Sequence, residues 1–111
     1  MDYHVKLLAG FVVRNVQDEK EAIAVSVTKV GRALNKAGLR FVQIDGERKV
    51  MTVAGLGLVG LELSMKVFNA ESEEHAGKVA KAVMGKALDK VPLEVLEINE
   101  SQSEEDEDET D

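Results

Sequence analysis

The chain has 111 residues, no cysteine, one tyrosine, three phenylalanines and a formal net charge of −7. That length suits a single domain with its own core, and the lack of thiols excludes disulfides, thiolate metal sites and cysteine catalysis, in keeping with a reducing cytosol. The charge is segregated: eight of the 21 acids lie from Glu100 onward with no basic residue among them, which leaves thirteen acids against 14 Lys and Arg in the rest.

The opening Met1-Asp2-Tyr3-His4-Val5-Lys6 lacks a basic segment followed by an apolar run, and no later stretch is long enough and free enough of charge to span a membrane. A cytoplasmic protein with no membrane partner is expected. Residues 3–14 alternate, with Val5, Leu7, Ala9, Phe11 and Val13 on one side and Lys6 and Arg14 on the other, the pattern of a strand with one covered face. Asn15 ends this strand and is expected to cap a helix. The acidic Gln17-Asp18-Glu19 suits the positive end of that helix, and Ile23, Val27, Val30, Leu34 and Ala37 follow at helical spacing. Arg32 and Lys36 lie toward its end and Gly38 stops it. Gly31 lies inside the helix, where glycine costs about 1 kcal/mol relative to alanine, and close packing is the expected reason. Leu39 to Ile44 reads as a closing strand, Asp45 to Arg48 as a turn, and Lys49 to Val53 as an extension of a central hairpin.

A second unit then repeats the first. Residues 57–68 alternate, with Val59, Leu61, Leu63, Met65 and Val67 on one side. Asn69 and the acidic Glu71 to Glu74 open a helix striped by Ala76, Ala80, Val83 and Ala87, with Gly85 inside and Lys86 and Lys90 near its end. Pro92 stops it, and Leu93 to Ile98 forms the last strand. Residues 5–45 slide onto 59–99 without a gap and match at thirteen of forty-one positions, among them Val13/Val67, Asn15/Asn69, Ala22/Ala76, Gly31/Gly85 and Leu34/Leu88. Composition alone gives roughly two or three matches, so an internal duplication is the economical explanation. Two copies of strand, helix and strand predict an α+β fold: a ferredoxin-like β-α-β-β-α-β sandwich with two helices on one face of an antiparallel sheet. The expected domain is 1–99, with halves 3–45 and 57–99, followed by a disordered acidic tail at 100–111 that either solubilises the protein or engages a basic partner.

No catalytic constellation stands out. His4 and His75 occupy unrelated repeat positions and have no metal-ligand spacing, so neither a catalytic residue, a metal site nor a cofactor is assigned. The literal G-x-G-x-x-G at Gly55, Gly57 and Gly60 matches a dinucleotide-binding fingerprint, but the residues after Gly60 alternate as a strand where a helix is required. A flexible start to that strand, or a bulge, fits the segment better. The face opposite the helices carries Lys6, Leu8, Val12, Arg14, Leu58, Glu62, Ser64, Lys66 and Phe68. One aromatic is too few for a base-stacking platform, which disfavours nucleic acid. Leu8, Val12, Leu58 and Phe68 mark this face as an interaction surface, with a homodimer the simplest occupant.

Two segments carry a family resemblance. One runs from Leu58-Val59-Gly60-Leu61-Glu62-Leu63-Ser64-Met65-Lys66-Val67-Phe68-Asn69 to His75-Ala76, then Gly85-Lys86-Ala87-Leu88 and Val91-Pro92-Leu93-Glu94-Val95; the other, looser, includes Val13-Arg14-Asn15-Val16 and Arg32 to Leu39. In these the chain resembles the archaeal domain-of-unknown-function family 555, also called uncharacterised protein family 0212. The resemblance implies an archaeal cytosolic protein in a family without an assigned activity. It also implies relatives with a Cys-Pro-x-x-Cys pair between the halves; this chain has Asp45 to Met51 there, so no metal role carries over.

The function expected from all of this is a non-catalytic interaction or regulatory module that self-associates. A small-molecule or nucleotide binder using residues 55–60 is the alternative, and RNA binding through Lys6, Arg14, Lys66 and Phe68 is the weaker one.

Overall fold

A computed structural model describes residues 1–101. The acidic segment 102–111, to which the expectation of a disordered tail applies, lies outside the described residues. The elements run β1 (Tyr3–Arg14), α1 (Glu19–Lys36), β2 (Gln43–Val53), β3 (Leu56–Val67), α2 (Glu73–Leu88) and β4 (Leu93–Glu100). The four strands form one sheet in the order β2-β3-β1-β4, with every neighbouring pair antiparallel. The sheet therefore keeps Glu100, which pairs with Tyr3, and the Ser101 N–H donates to the Asp2 carbonyl at 2.8 Å, so the body reaches past residue 99.

β1 and β3 are the central pair, matched without a slip from Tyr3 opposite Val67 to Arg14 opposite Leu56. Alternation puts Val5, Leu7, Ala9 and Val13 with Val59, Leu61, Leu63, Met65 and Val67 on the buried face, against both helices. Each central strand leaves through a matching connection. Asn15 and Asn69 have φ of 60° and 57°, left-handed values that asparagine tolerates. The next residue in each case is buried and bonded: Val16 N–H to the Gly55 carbonyl at 3.1 Å, Ala70 N–H to the Met1 carbonyl at 2.8 Å. Donors and acceptors of the two bonds are each fifty-four positions apart.

Helix capping corrects the expectation for the asparagines, which turn the chain and leave the capping to residues three further on. The Asp18 carboxylate accepts from the Glu21 N–H at 2.8 Å and the Ser72 hydroxyl from the His75 N–H at 3.1 Å. The residue three positions after each cap reaches back: Glu21 Oε1 accepts from the Gln17 N–H, and His75 Nδ1 from the Glu71 N–H. At its far end α1 closes with Gly38 at φ 75° and a bond from the Leu39 N–H to the Leu34 carbonyl, a Schellman stop. α2 ends earlier than Pro92 suggests, at Leu88, because Asp89 and Lys90 turn left-handed at φ 38° and 64°.

The core-facing stripe of α1 is Ala22, Ser26, Val30 and Leu34, and that of α2 is Ala76, Ala80, Met84 and Leu88 with Gly77. Of the expected stripes, Val30 and Leu34 and then Ala76 and Ala80 face the core, whereas Ile23, Val27, Val83 and Ala87 are half-buried at the margin and Ala37 is exposed. Small residues win the central line because the helices sit close to the sheet. A Cβ at Gly57 would lie 2.6 Å from the Ala22 Cβ, and one at Gly77 would lie 3.0 Å from Ile98 Cδ1. Ser26 is tolerated there because its hydroxyl donates to the Ala22 carbonyl at 2.9 Å. Gly31, expected to mark close packing, is exposed, with nothing within 4 Å of a Cβ; at Gly85 the nearest atom is Leu93 Cδ1 at 3.9 Å.

β2 also departs from the expected strand at 39–44. It begins at Gln43 and takes in the segment read as a turn, because two β-bulges, at Asp45 and Arg48, absorb the extra residues. The hairpin between β2 and β3 is a two-residue connection, Ala54-Gly55, with φ of 52° and 80°, as a type I′ turn requires.

Two glycines are predicted to respond in opposite directions. Gly57→Val forces α1 off the sheet and should destabilise the fold by about 2 kcal/mol or more, whereas Gly31→Ala should stabilise it by about 0.5–1 kcal/mol. Urea denaturation of the two variants beside the parent checks both signs.

Candidate functional site on the open sheet face

The helices cover one face of the sheet, and the other carries the even-numbered residues of β1 and β3. One row crosses three strands, Met51 beside Leu58 beside Val12, with exposures of 51%, 43% and 55%. Val53 and Leu56 extend it toward the hairpin. The adjoining row is Lys49, Gly60 and Gly10, and the two glycines face each other across the central pair. Lacking side chains, they form the floor of a trough of about 530 Å³ that Leu8, Val12 and Leu58 line as walls and Lys49 and Glu94 as rim.

Of the four residues expected to form the interaction surface, the structure brings Leu8, Val12 and Leu58 to this trough and leaves Phe68 apart. Phe68 follows the far end of β3, ten residues from Leu58, where the Lys66 ammonium lies 5.5 Å from its ring centroid. Met51, Val53 and Leu56 also belong to the patch; the sequence signal for them is the alternation of 49–53 against Leu56 and Leu58, which goes beyond the expected hairpin extension.

Toward the other end the face becomes polar. Arg48 Nε donates to Glu62 Oε2 at 2.9 Å, while the Lys6 ammonium lies 3.7 Å from Glu62 and 4.0 Å from Asp45. The bulged residues of β2 are thus the ones that complete an ion-pair cluster around Glu62. Lys6, one of the four residues named for RNA, already has carboxylate partners.

Gly55, Gly57 and Gly60 each answer a backbone demand: Gly55 the positive φ of the turn, Gly57 the approach of Ala22, and Gly60 the trough, where a Cβ would lie 3.3 Å from Leu8 Cδ1. The segment leads into β3, so a strand follows Gly60 where the fingerprint requires a helix. Among the described residues no group of three or more His, Asp or Glu is placed to hold a metal ion, and no helix is long and apolar enough to cross a membrane.

The family model described as a protein of unknown function, DUF555, matches residues 3–101, the whole sandwich just described. The chain belongs to the DUF555 family. It is 48% identical over 110 residues to a UPF0212 protein of Methanocaldococcus jannaschii, covering 89% of this chain and 96% of that one. It is 46% identical over 114 residues to a UPF0212 protein of Thermococcus gammatolerans, covering 93% and 89%, and 44% identical over 110 residues to one from Methanococcus maripaludis, covering 89% and 97%. No solved structure matches the chain.

The ion-pair cluster is half in solvent, with Glu62 the least exposed member at 21%. Glu62→Gln should therefore lower stability by no more than about 1 kcal/mol, and the difference should shrink as salt screens it. Paired urea titrations at low and high salt measure this.

Proposed function

We propose that this DUF555 protein is a non-catalytic, cytoplasmic interaction module that self-associates through its open sheet face. The observation that carries this is the continuous apolar surface of Leu8, Val12, Met51, Leu56 and Leu58 on the face that no helix covers. Four strands about 4.8 Å apart and roughly ten residues long present about 600–700 Å², close to the about 800 Å² per partner of a standard interface. Charge on this face is nearly balanced, with Lys6, Arg14, Arg48, Lys49 and Lys66 against Asp45, Glu62, Glu94 and Glu97, so two copies can meet without net repulsion. Isologous pairing needs only one such patch.

We read the architecture as ferredoxin-like and duplicated. The strand order β2-β3-β1-β4, the paired caps Asp18 and Ser72, the paired left-handed asparagines and the two matched loop hydrogen bonds support that reading.

Sedimentation velocity of the full chain tests self-association: a dimer is expected, and Val12→Glu with Leu58→Glu should weaken it at least about a hundredfold, because each substitution enters a two-fold interface twice. The double variant should stay within about 0.5 kcal/mol of the parent fold, since both side chains are exposed. A parent that remains a monomer overturns the proposal. A second reading, an apolar ligand in the trough, is favoured by the glycine floor; native mass spectrometry of gently purified protein distinguishes it by extra mass on a single chain.

A further inference from the structure

The helical layer has its own cavity, unrelated to the open face. A cleft of about 700 Å³ has an apolar floor that includes Phe11, Ala33 and Leu88 and is bordered by Lys29, Lys36 and Lys86. The sequence concentrates cations here: after Glu21, α1 carries Lys29, Arg32 and Lys36 with no acid, and after Glu74, α2 carries Lys78, Lys81 and Lys86 with none. Lys78 pairs with Glu74 at 3.8 Å, but among the described residues no carboxylate comes within ion-pair distance of Lys29, Lys36 or Lys86. Asp89 alone supplies an acid to the lining.

We infer that this cleft is the docking site of the chain's own acidic segment, residues 102–111. Charge complementarity is the first argument. The segment holds seven carboxylate side chains and no cation, while the cleft groups three lysines without acidic partners over an apolar floor. Reach is the second. The described chain ends at Ser101, held against Asp2 at one end of β4, and Pro92, just before the other end, follows Val91 in the cleft wall. β4 is about 27 Å long, and ten extended residues cover about 33 Å. At about 3.3 Å per residue, only the last carboxylates, Glu109 and Asp111, span the full length of β4, and they do so without disturbing the sandwich.

The test compares the full chain with a full-length variant whose seven acids at 104–109 and 111 are changed to Gln or Asn. Backbone amide NMR of both is recorded at low salt and at about 0.5 M salt, where the Debye length is roughly 4 Å. Amides of Ala33, Lys36, Lys86 and Leu88 should differ between the two chains at low salt and converge at high salt, while those of Leu8 and Leu58 stay put. A synthetic peptide of residues 101–111 should bind the neutralised variant at least about tenfold more tightly than the parent, whose tethered copy competes at millimolar effective concentration. Equal peptide affinities, or cleft amides identical in the two chains, overturn the inference. Shifts that grow with protein concentration overturn docking in cis and assign the segment to a second copy. None of these outcomes depends on the open face, whose own test is the oligomeric state.

Discussion

Strands β1 and β3 pair along their full twelve-residue lengths, and every other element takes its position from that ladder. Both strands supply the deepest side chains, with Val5, Leu7, Leu61 and Leu63 wholly out of solvent. Because side chains alternate on a strand, an unslipped register puts all of these on one face at once. The helices must then come close enough to seal that face, and it is at this contact that the sequence is most constrained. Ala22 meets Gly57, Gly77 meets Ile98, and Ser26 and Ala80 lie wholly buried on the sheet-facing sides of the two helices.

The same ladder creates the asymmetry between the two faces. On the open side it aligns Gly10 with Gly60 and Val12 with Leu58, so a trough and an apolar ridge arise from strand register without any loop to build them. β2 adds Met51 and Val53 to the ridge because its bulges restore the alternation before it passes Leu58. Those bulges also break the regular row of backbone groups on an outer strand, which discourages edge-to-edge pairing.

The central strands were legible because strict alternation over twelve residues has few other interpretations, and the repeat located both of them together. The helices are legible in place and only partly in phase: Val30, Leu34, Ala76 and Ala80 face the core, but a hydrophobicity stripe follows large apolar residues, whereas the close helix–sheet contact admits Ala22 and Ser26 and leaves Ile23 and Val27 at its margin. β2 was the least legible element. Asp45-Gly46-Glu47-Arg48 looks like a turn by composition, and only its pairing with β3 makes it a twice-bulged strand. Within the candidate site, parity was enough to group Leu8, Val12 and Leu58. Parity says nothing of distance along a strand, so Phe68 was grouped with residues at the opposite end of β3.

Charge follows the same division of labour. On the open face cations and acids interleave, and the cluster of Lys6, Arg48, Asp45 and Glu62 neutralises itself. In the helical layer they are sorted along each helix: acids gather at the N-terminal turns, where Asp18 and the first-turn glutamates suit the helix dipole, and most cations, Lys29, Arg32 and Lys36 in α1 and Lys81 and Lys86 in α2, lie in the C-terminal halves, where the dipole favours them. A requirement of helix stability thus leaves a band of positive charge bordering the interhelical cleft, before any ligand is considered. The family match ends at residue 101; residues 1–101 carry 14 acids against 14 Lys and Arg, so the net charge of −7 rests on the seven carboxylates of residues 102–111.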